Sequence, residues 1–84
     1  MTEKKIGNVT HYYNHLNVAT VKITEGELHV GDTIHVEGHT SDFTQKIDSM
    51  ELDHEKVEVA KPGDIVGIAT DQYVREHDTV YIVH

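Results

Sequence analysis

The stretches Gly26-Glu27-Leu28-His29-Val30-Gly31-Asp32-Thr33-Ile34-His35-Val36 and Val57-Glu58-Val59-Ala60-Lys61-Pro62-Gly63-Asp64-Ile65-Val66-Gly67-Ile68 decide the fold. Each sets a Gly-Asp pair beside a β-branched run. Glycine reaches a positive φ without steric cost, and an aspartate beside it bonds nearby backbone amides. Apolar residues then recur at every second position, the period of a half-buried strand. The expected structural turn residues are Gly26, Gly31, Asp32, Gly63, Asp64 and Gly67.

Working outward from these turns, the pattern predicts strands over 5–13, 18–24, 33–38, 42–52, 64–70 and 79–83. Asn14-His15-Leu16-Asn17 joins the first two as a hairpin, because Asn tolerates the left-handed conformation. Alternation turns Val9, His11 and Tyr13 inward and Tyr12 outward. Within 42–52, Phe43, Gln45 and Ile47 lie on odd positions, whereas Met50 and Leu52 lie on even ones. A period of two cannot change parity without an extra residue, so a β-bulge is expected near Ser49-Met50. The single helix candidate, 53–60, is polar and runs into Pro62-Gly63. The reading is all-β: one domain over 1–84, a small closed six-stranded antiparallel barrel.

The bulk composition narrows the function. The chain of 84 residues carries 15 acidic and 7 basic residues and a formal charge of −8. Charge-driven nucleic-acid binding needs clustered Lys and Arg, and here they are scattered. With no cysteine, neither a disulfide framework nor a thiolate zinc site is available. No apolar run approaches the roughly 18 residues of a membrane span, and Met1-Thr2-Glu3-Lys4-Lys5-Ile6 is not a signal sequence. The expectation is a cytoplasmic protein without membrane contact.

Taken in order, Gly7-x-Val9, Gly26-x-Leu28-x-Val30-Gly31-Asp32-x-Ile34, Gln45-Lys46-Ile47-x-Ser49-Met50 and Val57-x-x-Ala60-x-Pro62-Gly63-Asp64-x-Val66-Gly67-Ile68 cover nearly the whole chain. This string resembles domain II of translational GTPases, the β-barrel of elongation factor Tu and initiation factor 2. It is similar to stand-alone proteins called translation elongation factor-like, and to the C-terminal barrel of collagenase-like peptidases, a family linked to RNA hydroxylation. The resemblance implies a domain II-like barrel and a role beside the translation or RNA-modification machinery. Two departures stand out. No Gly-x-x-x-x-Gly-Lys-Ser/Thr loop is present, so GTP chemistry is not expected. The last turn reads His77-Asp78 where the family has Gly-Asp.

Candidate chemistry is sparse. The eight histidines lack a metal-ligand spacing; His35 and His39 on an extended strand would stand about 13 Å apart. The run Glu51, Asp53, Glu55 and Glu58 reads as a solvated face, and no catalytic constellation is recognisable. The expectation is therefore no enzyme, no cofactor and no metal. His11, Tyr12, His39, Tyr73 and Arg75 are the candidate partner-contact residues, since an aromatic ring beside a cation anchors many interfaces. A structural ion pair of Arg75 with Glu76 or Asp78 is the competing account. The functional expectation is a binding module acting through a protein partner. The alternatives are an accessory protein contacting tRNA or ribosomal RNA by local stacking, and a His-rich metal- or pH-responsive protein.

Overall fold

Ten strands and no helix make up the computed structural model, which describes residues 2–84. The long strands are β1 (Glu3–Tyr13), β2 (Val18–Ile23), β4 (Thr33–Glu37), β5 (Asp42–Lys46), β9 (Ile65–Ala69) and β10 (Thr79–Val83). Four short ones, β3 (Leu28–His29), β6 (Met50–Leu52), β7 (Glu55–Val57) and β8 (Val59–Ala60), raise the count above the expected six. Eight strands pair in the order β5-β4-β10-β1-β2-β9-β6-β7, and β3 pairs with β8 in a separate sheet. Every pairing is antiparallel.

The expected closed ring is not completed by backbone ladders: the order ends at β5 on one side and β7 on the other. Between β5 and the end of β9 the link is a side chain. Gln45 donates its Nε2–H to Ala69 O at 2.9 Å and accepts the Asp71 N–H on Oε1 at 2.8 Å. Both ends of this buried amide are thereby satisfied, as burial requires.

One turn is used three times. His29-Val30-Gly31-Asp32, Lys61-Pro62-Gly63-Asp64 and Arg75-Glu76-His77-Asp78 each place a positive φ at the third residue: 98°, 95° and 75°. In each, the aspartate N–H donates to the first residue's carbonyl, at 3.0, 2.9 and 3.2 Å. Its carboxylate in return accepts that first residue's N–H, at 2.8, 2.9 and 3.0 Å. His77 thus does what glycine does in the other two. Gly26 also has a positive φ, 66°. Gly67 does not belong with these turn residues: it lies inside β9.

Three further expectations are corrected. The 42–52 segment is not one bulged strand. β5 pairs with β4, residues 47–49 leave the ladder, and β6 pairs with β9 and β7. Parity changes there because the chain changes neighbours. The irregularities lie instead in β1, where the register slips twice: between Lys5 and Gly7 against β10, and between Val9↔Val21 and His11↔Thr20 against β2. Thr10 is the extra residue, so the faces beyond it are exchanged: Tyr12 packs on the core while His11 and Tyr13 are exposed. The helix candidate, finally, is a hairpin. Leu52↔Glu55 enclose Asp53 (φ 52°) and His54 (φ 67°), the two left-handed residues of a type I′ turn.

The core follows the remaining alternation. Val9, Ala19, Val21, Ile23, Ile34, Val36, Val66, Ile68 and Val80 are almost fully buried, with Ile6, Leu28, Ile47, Met50 and Val74 filling between them. β-Branched side chains dominate because they pack well on a pleated surface. At Gly7 an added Cβ would run into the Lys22 carbonyl, so glycine there allows β1 and β2 to approach.

Candidate functional site

The outer face of β1, β2, β9 and β6 carries a groove of about 470 Å³. Register explains its floor. Thr20 and Glu51 lie opposite Gly67 on the two neighbouring strands, and Gly67 offers no side chain between them. A Cβ built there would meet Val18 Cγ1 at 3.5 Å and the Glu51 carbonyl at 4.0 Å, both ordinary contacts. Neither close approach nor backbone φ demands glycine at this point, so its effect is to keep the floor low.

The walls are apolar. Tyr13, Leu16 and Ile65 line the groove at 45%, 67% and 49% exposure, three of the five large hydrophobic residues exposed on the described chain. Leu16 stands in the β1–β2 hairpin loop, held by its N–H bond to Tyr13 O at 3.1 Å and by the left-handed Asn17. The Thr10 bulge turns Tyr13 outward to face it. Glu51, Asp53 and His54 form the opposite rim, the last two supplied by the type I′ turn. The result is an apolar trough with an acidic lip. Among the described residues no Ser, Thr or Tyr hydroxyl is hydrogen-bonded to a histidine ring or a carboxylate.

The contact residues expected from sequence lie beside this trough, not in it. Tyr12 and Tyr73 meet edge to face with ring centroids 4.8 Å apart, and Tyr12 Oη donates to Asn17 Oδ1 at 3.2 Å. His11 Nδ1 is 3.4 Å from Glu76 Oε1, and its ring packs on Tyr13 at 4.4 Å. Ser41 Oγ donates to Tyr73 O at 3.4 Å, which brings the loop bearing His39 to the same end. Tyr73 and Arg75 are exposed on either side of buried Val74. The proposed ion pair is not formed: Asp78 holds the Arg75 backbone N–H, and no carboxylate meets the guanidinium among the described residues.

The trough itself was missed in sequence. Leu16 gave a signal, an apolar residue amid Asn and His in a loop. Ile65 gave another, since it is out of phase with buried Val66 and Ile68. Both signals needed the hairpin and β9 to be placed side by side.

An all-β antiparallel module with Gly-Asp turns and an external trough is thus the class that fold and site define. Residues 17–71 match the family Elongation factor Tu domain 2, and the chain belongs to it. It is 36% identical over 80 residues to an uncharacterized protease of Methanocaldococcus jannaschii, an alignment covering 94% of this chain and 19% of the relative. It is 34% identical over 77 residues to a collagenase of Porphyromonas gingivalis, covering 90% of this chain and 21% of that one. The chain therefore spans about a fifth of the length of these curated relatives. In structure it is similar to the C-terminal domain of a Geobacillus thermoleovorans protein described as a U32 peptidase. The TM-score is 0.89 at 20% identity, with 96% of this chain and 93% of that one covered. The selenomethionine variant of that domain gives 0.86 at 21% identity, with 92% and 96% covered. The domain II-like, collagenase-associated fold expected from sequence is the one found.

Proposed function

We propose that this chain is a non-catalytic binding module that docks a protein partner in the trough above Gly67. The carrying observation is the gathering of Tyr13, Leu16 and Ile65 over a glycine floor. Rigid aromatic and aliphatic anchors around a desolvated centre are what protein interfaces use, with polar groups at the rim. Glu51 and Asp53 on that rim favour a partner segment that carries apolar side chains beside Lys or Arg. The relatives named protease and collagenase are about five times as long as this chain, which supports seeking their named activities outside the module. Membership of the Elongation factor Tu domain 2 family supports beginning the partner search in the translation machinery. Among the described residues no helix is long and apolar enough to cross a membrane.

The test is a native pull-down with the tagged chain and with its Leu16→Asp/Ile65→Asp variant, each split into RNase-treated and untreated halves. The expected result is a protein retained after RNase and at high salt by the native chain, and absent from the variant. Retention that disappears with RNase or falls steeply with salt would replace this reading with RNA contact.

A further inference from the structure

A separate cluster lies on the outer face of β4 and β5. His35 and Glu37 are two residues apart on β4 and so share a face, and Asp42 stands directly opposite Glu37 on β5. Two carboxylates in that position repel each other unless a positive charge lies between them. The His35 ring is set into this arrangement by both nitrogens. Nδ1 is 2.8 Å from Oε1 of Glu3, which reaches across β10 from β1, and Nε2 is 2.5 Å from Asp42 Oδ1. The His35 side chain is 14% exposed, so the ring is held while the 75% exposed Asp42 is free to adjust. One ligand atom from each of His35, Glu37 and Asp42 falls within 4.8 Å of the other two.

We propose that His35, Glu37 and Asp42 bind a divalent first-row transition cation of the zinc type, with Glu3 as the positioning residue. The donor set is one imidazole nitrogen and two carboxylate oxygens. It suits zinc and its neighbours, lacks the thiolates that select copper(I), and has too few oxygens for a calcium cage. Ligands about 2.0–2.2 Å from zinc stand about 3–3.6 Å from one another, so closing the cluster takes only rotation of the two exposed carboxylates. Glu3 plays the outer part of a carboxylate–histidine–metal relay. By accepting the Nδ1–H it fixes the tautomer and turns the Nε2 lone pair toward Asp42 and Glu37. Three protein ligands leave the remaining positions to water. The bound cation bridges β4 to β5 beside the turn of their hairpin and replaces repulsion between Glu37 and Asp42 with a shared counter-charge. Sequence spacing hides the site, because Asp42 enters it only through the cross-strand register.

The experiment is calorimetric titration of the chelator-stripped chain with zinc chloride, alongside histidine-ring nitrogen NMR. One equivalent is expected, with the large ring shift confined to His35 Nε2 and a melting temperature that rises with the logarithm of free zinc. His35→Gln should remove that equivalent, and Glu3→Gln should weaken it about 10–100-fold without removing it. Uptake unchanged in His35→Gln, or ring shifts on other histidines in place of His35, would overturn the proposal. So would no uptake up to about 0.1 mM free zinc. Should His35→Gln fail to fold, the ring shifts of the native chain still decide.

Discussion

Gly31, Gly63 and His77 occupy one backbone position in three copies of one turn, yet they stand in different surroundings. A Cβ at Gly31 or Gly63 would meet nothing within 4 Å, so only the backbone resists substitution there. Gly31→Val is expected to cost about 1–3 kcal/mol, the range for a side chain forced to positive φ. In a chain of this size each kcal/mol lowers the melting temperature by about 4–8 °C, which thermal denaturation will resolve. At Gly7 the restriction is spatial: φ is ordinary, but a Cβ collides with the Lys22 carbonyl. Gly7→Ala should therefore be more damaging than Gly31→Ala, and equal melting temperatures would refute the distinction. His77 carries the strain of a non-glycine residue at φ 75°, so His77→Gly is expected to be neutral or to stabilise by up to about 1 kcal/mol. The aspartates also differ. Asp78 is 4% exposed, whereas Asp32 and Asp64 are half-buried. Losing the carboxylate of Asp78 leaves the Arg75 N–H in drier surroundings, so among the three Asp→Ala variants Asp78→Ala should unfold at the lowest temperature.

At the level of elements, β1 shows what a period-two pattern reveals and what it hides. The long strands and the Gly-Asp turns were legible because they are local: an apolar alternation and a residue able to adopt positive φ. The exchange of Tyr12 and Tyr13 was not legible, since one extra residue at Thr10 is defined only by its pairing with β2. The break at 47–49 was visible as a change of phase, but its cause is a change of partner strand, which the segment's own residues do not encode. The Asp53-His54 turn hid behind a polar, helix-like composition. The candidate contact residues show the same division. Their clustering through Tyr12 and Tyr73 and through His11 and Glu76 depends on contacts between distant segments.

His35 ties three elements together and gives the metal-free chain a pH dependence. The Glu3 hydrogen bond, and then the one to Asp42, raise its pKa above the ordinary 6.5, against the opposing effect of burial. Register places Lys5 of β1, Tyr81 of β10 and Lys46 of β5 on the same face. A histidine with a raised folded-state pKa stabilises fully below its unfolded value, and that stabilisation disappears as pH rises through the folded value. In chelator, the stability difference between the native chain and His35→Gln should therefore shrink as pH climbs from 6.5 through that raised value. A constant difference across this window would show that the ring is neutral throughout.

At the scale of the whole molecule, the trough can be separated from the fold. A Cβ at position 67 meets only ordinary contacts, and residue 67 lies mid-strand without a positive φ. Gly67→Val should fold as well as the native chain, with β-propensity in its favour, while filling the trough. Partner retention should then fall at least tenfold at an unchanged melting temperature. A variant that folds and still binds its partner would move the docking surface to the neighbouring patch of Tyr73 and Arg75.

The strand order carries one more consequence. β10 is the last strand along the chain, yet it lies between β4 and β1 near the middle of the eight-stranded sheet. β1 and β4 therefore stay unjoined until the residues of β10 are in place to pair with both. A chain truncated before Thr79 leaves two unpaired strand edges, each a template for pairing with another chain.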